Sequence, residues 1–217
     1  MTDTPPRVLT VNVVHALRPG FFHDTAIDKR PVEGPVAVHE LGVEGDRQID
    51  SSHGGPDQAV YAYADEDAAW WAEELGRDVP PGLFGENLRL SGVDVSGARI
   101  GERWRIGDVL LEVRMPRTPC QNLSLRVGIE GFHMRFNAAG RVGALLRVVE
   151  PGTLTAGDEV ELVSRPEHDV TVSLLATGAD AVRMRGLLAS GVPLARKVRG
   201  KAERVVARAE RQAGIQQ

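Results

Sequence analysis

The chain has 217 residues, 42% of them hydrophobic, and a formal net charge of -4. That suits one domain of ordinary size with a small appendage, and no apolar run approaches the roughly 18 residues of a membrane span. A single cysteine excludes an internal disulfide, and "MTDTPPRVLTVNVV" lacks a basic stretch followed by an apolar one, so the expected setting is reducing and cytoplasmic.

Charge is unevenly spread. Residues 180–217 carry nine Arg or Lys against Asp180, Glu203 and Glu210, a surplus of +6 that leaves -10 on the preceding 179 residues. No aromatic residue accompanies these cations, which favours a solvated helical face or docking surface over nucleic-acid binding. Lysine stands only at 29, 197 and 201, which makes Lys29 the sole lysine before the tail.

In chain order, "RVLTVNVV", "GPVAVHEL", "QAVYAYA", "DVLLEVR", "GALLRVVE" and "DEVELV" alternate or run apolar between turn signals, as strands do. Gly107–Asp108 and Gly157–Asp158 sit where tight turns would lead into the last strands. Helices are predicted for "DEDAAWWAEELG", with Asp65 as its N-cap and Gly76 ending it, for "QNLSLRVG", and for "GFHMRFNAAG". From about Val170 glycines thin out and the pattern turns helical. The reading is therefore mainly β with helices: a barrel-like domain over 1–165, then a helical module over 166–217.

Function in such a fold collects on loops held by strands. Four segments read as polar, glycine-rich loops: "AIDKRPVEG" with Lys29 and Arg30, "GVEGDRQIDSSHGGPDQAV" with Asp46, His53, Gly54 and Gly55, "LFGENL" with Glu86 and Asn87, and "MPRTPCQN" with Arg117 and Cys120. Adjacent cations suit an anion, and glycines let bare amides approach one. Each feature also has a bland reading as surface charge or turn chemistry. The six histidines never fall in a spaced pair with the cysteine, and a P-loop, a GxGxxG and a serine nucleophile elbow are all missing.

Cys120 stays open on these grounds. Free cysteine is often a buried, inert hydrophobe. Against that, Pro116 and Pro119 oppose a core strand here, while Arg117 and the start of a helix would stabilise a thiolate.

Taken together, "DKRPVEGPVAVHELGVEGDRQIDSSHGGPDQAVYAYADEDAAWW", "PGLFGENL" and "IGERWRIGDVLLEVRMPRTPCQNL" resemble a MOSC domain. The resemblance is closer still to the bacterial group linked to 6-N-hydroxylaminopurine resistance, and it covers about residues 7 to 163. The tail resembles the three-helix module that follows the domain in that group. The resemblance implies a β-barrel-like fold, a molybdopterin-type molybdenum cofactor, and reduction of N-hydroxylated compounds to amines. It implies Cys120 as molybdenum ligand and, with His53, as catalytic residue. Lys29, Arg30 and Arg117 would neutralise cofactor charge, and Gly54 and Gly55 would offer backbone amides. Asp46, His53, Glu86 and Asn87 would line the pocket, one of them relaying protons. One cysteine cannot hold an iron–sulfur cluster, so electrons would come from a separate flavin- or iron–sulfur-dependent reductase. The other partners expected are small N-hydroxylated substrates, with no membrane and with homodimerisation open. A carrier of the cofactor, or a sulfur-transfer protein with Cys120 as persulfide, is the alternative.

Overall fold

The computed structural model describes residues 5–47, 49 and 54–215. Eleven strands form among them. β1 (Arg7–Arg18) and β2 (Thr25–Val32) make a long antiparallel pair, followed by β3 (Val36–His39), β4 (Gly42–Val43) and β5 (Val60–Ala64). β6 (Leu88–Ser91), β7 (Arg103–Ile106), β8 (Val109–Pro116), β9 (Ala144–Glu150), β10 (Gly152–Leu154) and β11 (Val160–Ser164) complete the set. Eight of them form one sheet in the order β11-β7-β8-β9-β5-β6-β1-β2, and β10-β3-β4 form a small second sheet.

The large sheet curls back on itself. Val8 donates to the Asp158 carbonyl at 2.9 Å and Val160 to the Pro6 carbonyl at 2.8 Å, which joins the start of β1 to the start of β11. The contact covers the start of the β11 edge and makes the fold barrel-like, while β2 stays at the open end of the sheet order. β5, "VYAYA", is buried along its whole length, so it reads as a continuous apolar run rather than an alternation.

Helix α1 (Asp65–Leu75) ends as expected at Gly76, in the left-handed conformation (φ 60°). Its start differs: Ala64 is the N-cap, without a side-chain cap, and Asp65 is the first helical residue. The Asp65 carboxylate faces the buried Arg89 guanidinium at 3.4 Å instead of folding back onto the helix. Trp71 of α1 is fully buried against Phe132 and Phe136 of α3 (Phe132–Ala138), with ring centroids 4.9 and 5.5 Å away. α2 (Gln121–Val127) follows Cys120 directly.

Two segments differ from the sequence reading for a shared reason. "AIDKRPVEG" is largely strand β2, not a loop. Its charges and proline conceal the strand, yet Pro31 is tolerated because β2 lies at the open end of the sheet order, an edge where a missing donor costs little. β8 likewise runs through Pro116, which pairs opposite Ala144 as the last residue of the strand.

The tail forms α4 (Val172–Thr177), α5 (Ala181–Ala189) and α6 (Arg196–Ile215). Thr171 and Asp180 cap α4 and α5, accepting from the Leu174 and Arg183 amides. Val172, Leu175, Met184, Leu187, Val198 and Ala202 are buried in the same apolar cluster as the barrel residues. Backbone bonds from Val172 to Ala98 (2.9 Å) and Ser173 to Ser96 (2.7 Å) fasten the tail to the barrel. The compositional break near residue 165 therefore does not interrupt the core.

Candidate functional site

A cavity of about 510 Å³ opens between β2, the end of β8, the start of α2 and the glycine loop at 54–58. That volume suits a cofactor-sized ligand. A second cavity of similar volume lies by the β11–α4 connection, but its charges pair internally, as in Glu102–Arg165 at 2.7 Å. The first cavity is lined by Lys29, Asp46, Asn87, Arg117 and Cys120.

Strand alternation decides which residues of β2 reach it. Successive side chains point to opposite faces, so Ile27 and Lys29 line the cavity while Asp28 and Arg30 face away. Arg30 is exposed and sits 3.6 Å from Asp28. It is not among the lining residues, contrary to its place in the expected cation pair. Asp28, fully buried, also receives Arg18 (2.9 Å) and Arg126 of α2 (2.8 Å). Burial pushes its carboxyl upward, but the three guanidinium groups outweigh that and hold it below the ordinary aspartate value. This cluster ties the strand that carries Lys29 to the helix that begins after Cys120.

Lys29 Nζ meets Asp46 Oδ2 at 2.7 Å, with both side chains largely buried. Burial holds the Lys29 ammonium below its ordinary value of 10.5, with Arg117 adding to the shift; the Asp46 carboxylate and the more distant Glu86 oppose it. Asn87 fixes this pair in place. Its Nδ2 donates to Asp46 Oδ2 at 2.8 Å and to the Asn12 carbonyl at 3.2 Å, and its Oδ1 accepts the Tyr61 amide at 3.0 Å. Asp46 Oδ1 is buried with no hydrogen-bond partner among the described residues.

Glu86, expected beside Asn87 in the pocket wall, is instead fully buried beneath it. Its carboxylate accepts the Gly82 amide (2.9 Å), the Phe84 amide (3.1 Å) and the Arg89 guanidinium, and so clamps the 82–86 loop. Neighbouring positions point opposite ways, which the tetrapeptide "GENL" does not reveal. The loop itself lies hard against β2: a Cβ added to Gly82 would stand 2.3 Å from the Lys29 carbonyl oxygen.

Across the cavity, Arg117 lies over the Tyr61 ring with its guanidinium carbon 5.6 Å from the centroid. Its Nη1 is buried and has no hydrogen-bond partner among the described residues. Burial pushes the Tyr61 phenol up, so it stays neutral; its hydroxyl donates to the Val142 carbonyl at 2.8 Å. Cys120 is half-buried, caps α2 in an extended conformation, and lines the cavity. Gly54 lines it as well, at φ 90°, and Gly55 follows at φ 79° outside the lining, leading into the Pro56–Gln58 turn. His53, expected as a catalytic and cofactor-binding residue, lies outside the described residues. Among the described residues no group of three or more His, Cys, Asp or Glu stands ready for a metal.

Of the expected set, the structure thus brings together Lys29, Asp46, Gly54, Asn87, Arg117 and Cys120. It also adds residues that the sequence reading missed. Asn122 accepts the Phe21 amide at 2.8 Å and holds the β1–β2 connection over the cavity mouth. Lys197, from α6, lines the same cavity. Their signals were faint: Asn122 is two residues past Cys120, and Lys197 is one of three lysines in the chain.

The MOSC domain family model matches residues 50–161. The chain is 39% identical over 153 residues to the YiiM protein of Escherichia coli, covering 68% of this chain and 67% of that one. A protein of Gibberella moniliformis named "Reductase" is 36% identical over 150 residues, which is 65% of this chain but only 26% of that longer one. The crystal structure of YiiM from Geobacillus stearothermophilus superposes with a TM-score of 0.77 at 25% identity, over 93% of this chain and all of that one. With its large sheet and C-terminal helices matching a solved YiiM over 93% of its length, this chain belongs to the MOSC domain family, in the YiiM-type group.

Proposed function

We propose that the protein is a molybdenum cofactor-dependent reductase that converts N-hydroxylated compounds, base analogues of the N-hydroxylaminopurine type among them, to the amine. The observation that carries this reading is one cavity faced by the Cys120 thiol and by two cations, Lys29 and Arg117, the latter with a buried donor that has no partner among the described residues. A molybdopterin-type cofactor has a soft metal and an anionic phosphate. The donor set fits both: a thiol for the metal, and ammonium and guanidinium groups for the anion. A volume of about 510 Å³ accommodates a group of that size. Cys120 would hold the metal, and Lys29 and Arg117 the anionic part.

When bound, the cofactor supplies two-electron chemistry that takes an N–OH group, with two electrons and two protons, to the amine and water. The chain's own residues position the group. Asn87 and Asp46 hold Lys29 Nζ in a single place, ready for its anionic part. Electrons come from a separate flavin- or iron–sulfur-dependent reductase. The resemblance to a segment of a longer protein named "Reductase" supports the redox reading over a purely carrying one.

Metal analysis of the purified protein and reduction of 6-N-hydroxylaminopurine with a reduced viologen test the proposal together. Molybdenum should be present, and turnover should fall to background in Cys120→Ser. Bound molybdenum without turnover by any donor would establish a carrier instead, and no molybdenum under any expression condition would refute both.

A further inference from the structure

Five phenylalanines stand in the chain, and three of them, Phe84, Phe132 and Phe136, are buried against one another. The other two sit side by side on the connection between β1 and β2, with ring centroids 4.8 Å apart. Phe21 is 52% exposed and Phe22 85%. Leaving both rings in water forgoes the burial that the other three contribute to the core.

These rings belong to a larger surface. The Phe21 amide donates to Asn122 at 2.8 Å, and Asn122 lines both the main cavity and a smaller one of about 200 Å³ beside it. The smaller cavity is walled by Arg18, Arg126 and Leu125 of α2, which is itself 56% exposed, and no acidic residue lines it among the described residues. Both guanidinium groups meet the buried Asp28 carboxylate, and Arg30 approaches it at 3.6 Å. Three cations on one carboxylate leave a surplus of two positive charges. Asp24, which lines the main cavity beside Thr25, lowers that surplus to one without reversing it. An apolar centre with arginines around it therefore stands at the mouth of the main cavity. Exposed apolar patches with a polar rim mark interaction sites, and aromatic residues and arginine are what such sites concentrate.

The chemistry of the site says what covers it. With one cysteine the chain cannot hold an iron–sulfur cluster, and the electrons of the proposed reaction come from outside. A carrier seated on this surface covers the mouth of the cavity that Cys120 lines and so meets the reacting group. Encounters of electron carriers are brief, bury little area and are steered by charge, and a small apolar patch with a cationic rim meets that demand.

We propose that Phe21, Phe22 and Leu125, with Arg18, Arg30 and Arg126 around them, form the docking surface for an acidic electron-carrier protein. This rests on the reading of the cavity as a reductase site. Each turnover consumes two electrons from the carrier and two protons from solvent, and converts one N–OH group to the amine and one water. A one-electron [2Fe–2S] carrier is therefore oxidised twice per turnover, in two visits.

The test uses the full chain, with a plant-type [2Fe–2S] ferredoxin and a flavodoxin as the acidic carriers. Binding to the cofactor-free protein is measured by calorimetry for wild type, the double variant Phe22→Ala/Leu125→Ala, and Arg30→Gln. Met134→Ala and Arg208→Gln are controls; Met134 is 65% exposed on α3 and Arg208 is exposed on α6, both outside the patch. At least one carrier should bind wild type, and more weakly as salt is raised. The double variant should weaken that binding by about tenfold and Arg30→Gln by about threefold, with both controls at wild type. Turnover of 6-N-hydroxylaminopurine then separates docking from chemistry. Reduced viologen, which needs no docking surface, should drive the double variant as fast as wild type, whereas the reduced carrier should drive it more slowly. The proposal is overturned by failure of both carriers to bind, by equal binding in wild type and double variant, or by an equal loss in the controls. Slowing of the viologen-driven reaction would make the rings substrate contacts and overturn it as well. So would binding of phosphatidylglycerol vesicles by wild type and not by the double variant, without carrier binding, which would make the patch a membrane contact. Carrier binding that the double variant loses, in a protein that never holds molybdenum, would keep the docking surface and reject the reductase reading; full viologen turnover without carrier binding would do the reverse.

Discussion

Gly82→Ala should damage both the fold and the site, although residue 82 touches no ligand. Gly82 has φ +81°, a conformation that costs a residue with a Cβ about 1–2 kcal/mol. The new methyl would also stand 2.3 Å from the Lys29 carbonyl oxygen and 2.8 Å from its carbonyl carbon. Those are backbone atoms of β2, so the clash cannot be relieved by a side-chain rotation. Overpacking of this kind adds about 1–3 kcal/mol, giving a total near 2–5 kcal/mol against a usual stability of about 5–15 kcal/mol. The protein should fold but with a clearly lowered urea midpoint. β2 should be pushed outward, drawing Lys29 Nζ away from Asp46, 2.7 Å distant in the wild type, and anion affinity should fall with it. Urea unfolding monitored by tryptophan fluorescence, at constant m-value, reads the first effect, and phosphate calorimetry reads the second. A variant within about 0.5 kcal/mol of wild type with undiminished phosphate binding would refute the argument that the 82–86 loop sets the position of Lys29.

Asn87→Leu leaves the Tyr61 amide, the Asn12 carbonyl and Asp46 without the partners they have now, and should cost about 2–4 kcal/mol in the same urea assay. Asp28→Asn should change the pH profile instead. Because the folded carboxyl sits below its ordinary 3.8, its contribution is fully present above that pH and is lost as pH falls through the lower folded value. The wild type should therefore lose stability more steeply than Asp28→Asn below about pH 4, as acid titration followed by circular dichroism would reveal; parallel curves would count against the cluster.

The parts of the fold with strong local signals were legible in the chain. β5, β8, β9 and the helices at 65–75, 121–127 and 132–138 stand where apolar runs and glycine stops predict them. β2 was not legible, because "DKRP" carries turn-like residues and only its pairing with β1, Val13 opposite Arg30 and Val14 opposite Lys29, makes it a strand. Once it is a strand, alternation separates Lys29 from Arg30, two neighbours that look equivalent in sequence. Glu86 and Asn87 part for a similar reason, one buried beneath the loop and one facing the cavity.

What the sequence by itself determined was the set of chemical parts: one thiol just after two prolines at the start of a helix, glycines that free a backbone turn, and the ordered segments that mark a MOSC domain. These are short-range properties, carried by neighbours along the chain. Only the tertiary structure decided which parts meet. Closure of the barrel places Lys29, Asp46, Asn87 and Arg117 around one cavity, and burial of Ala195 and Val198 turns Lys197 toward it. The direction of a side chain depends on strand register and helix rotation, and both are fixed by packing against residues far away in sequence.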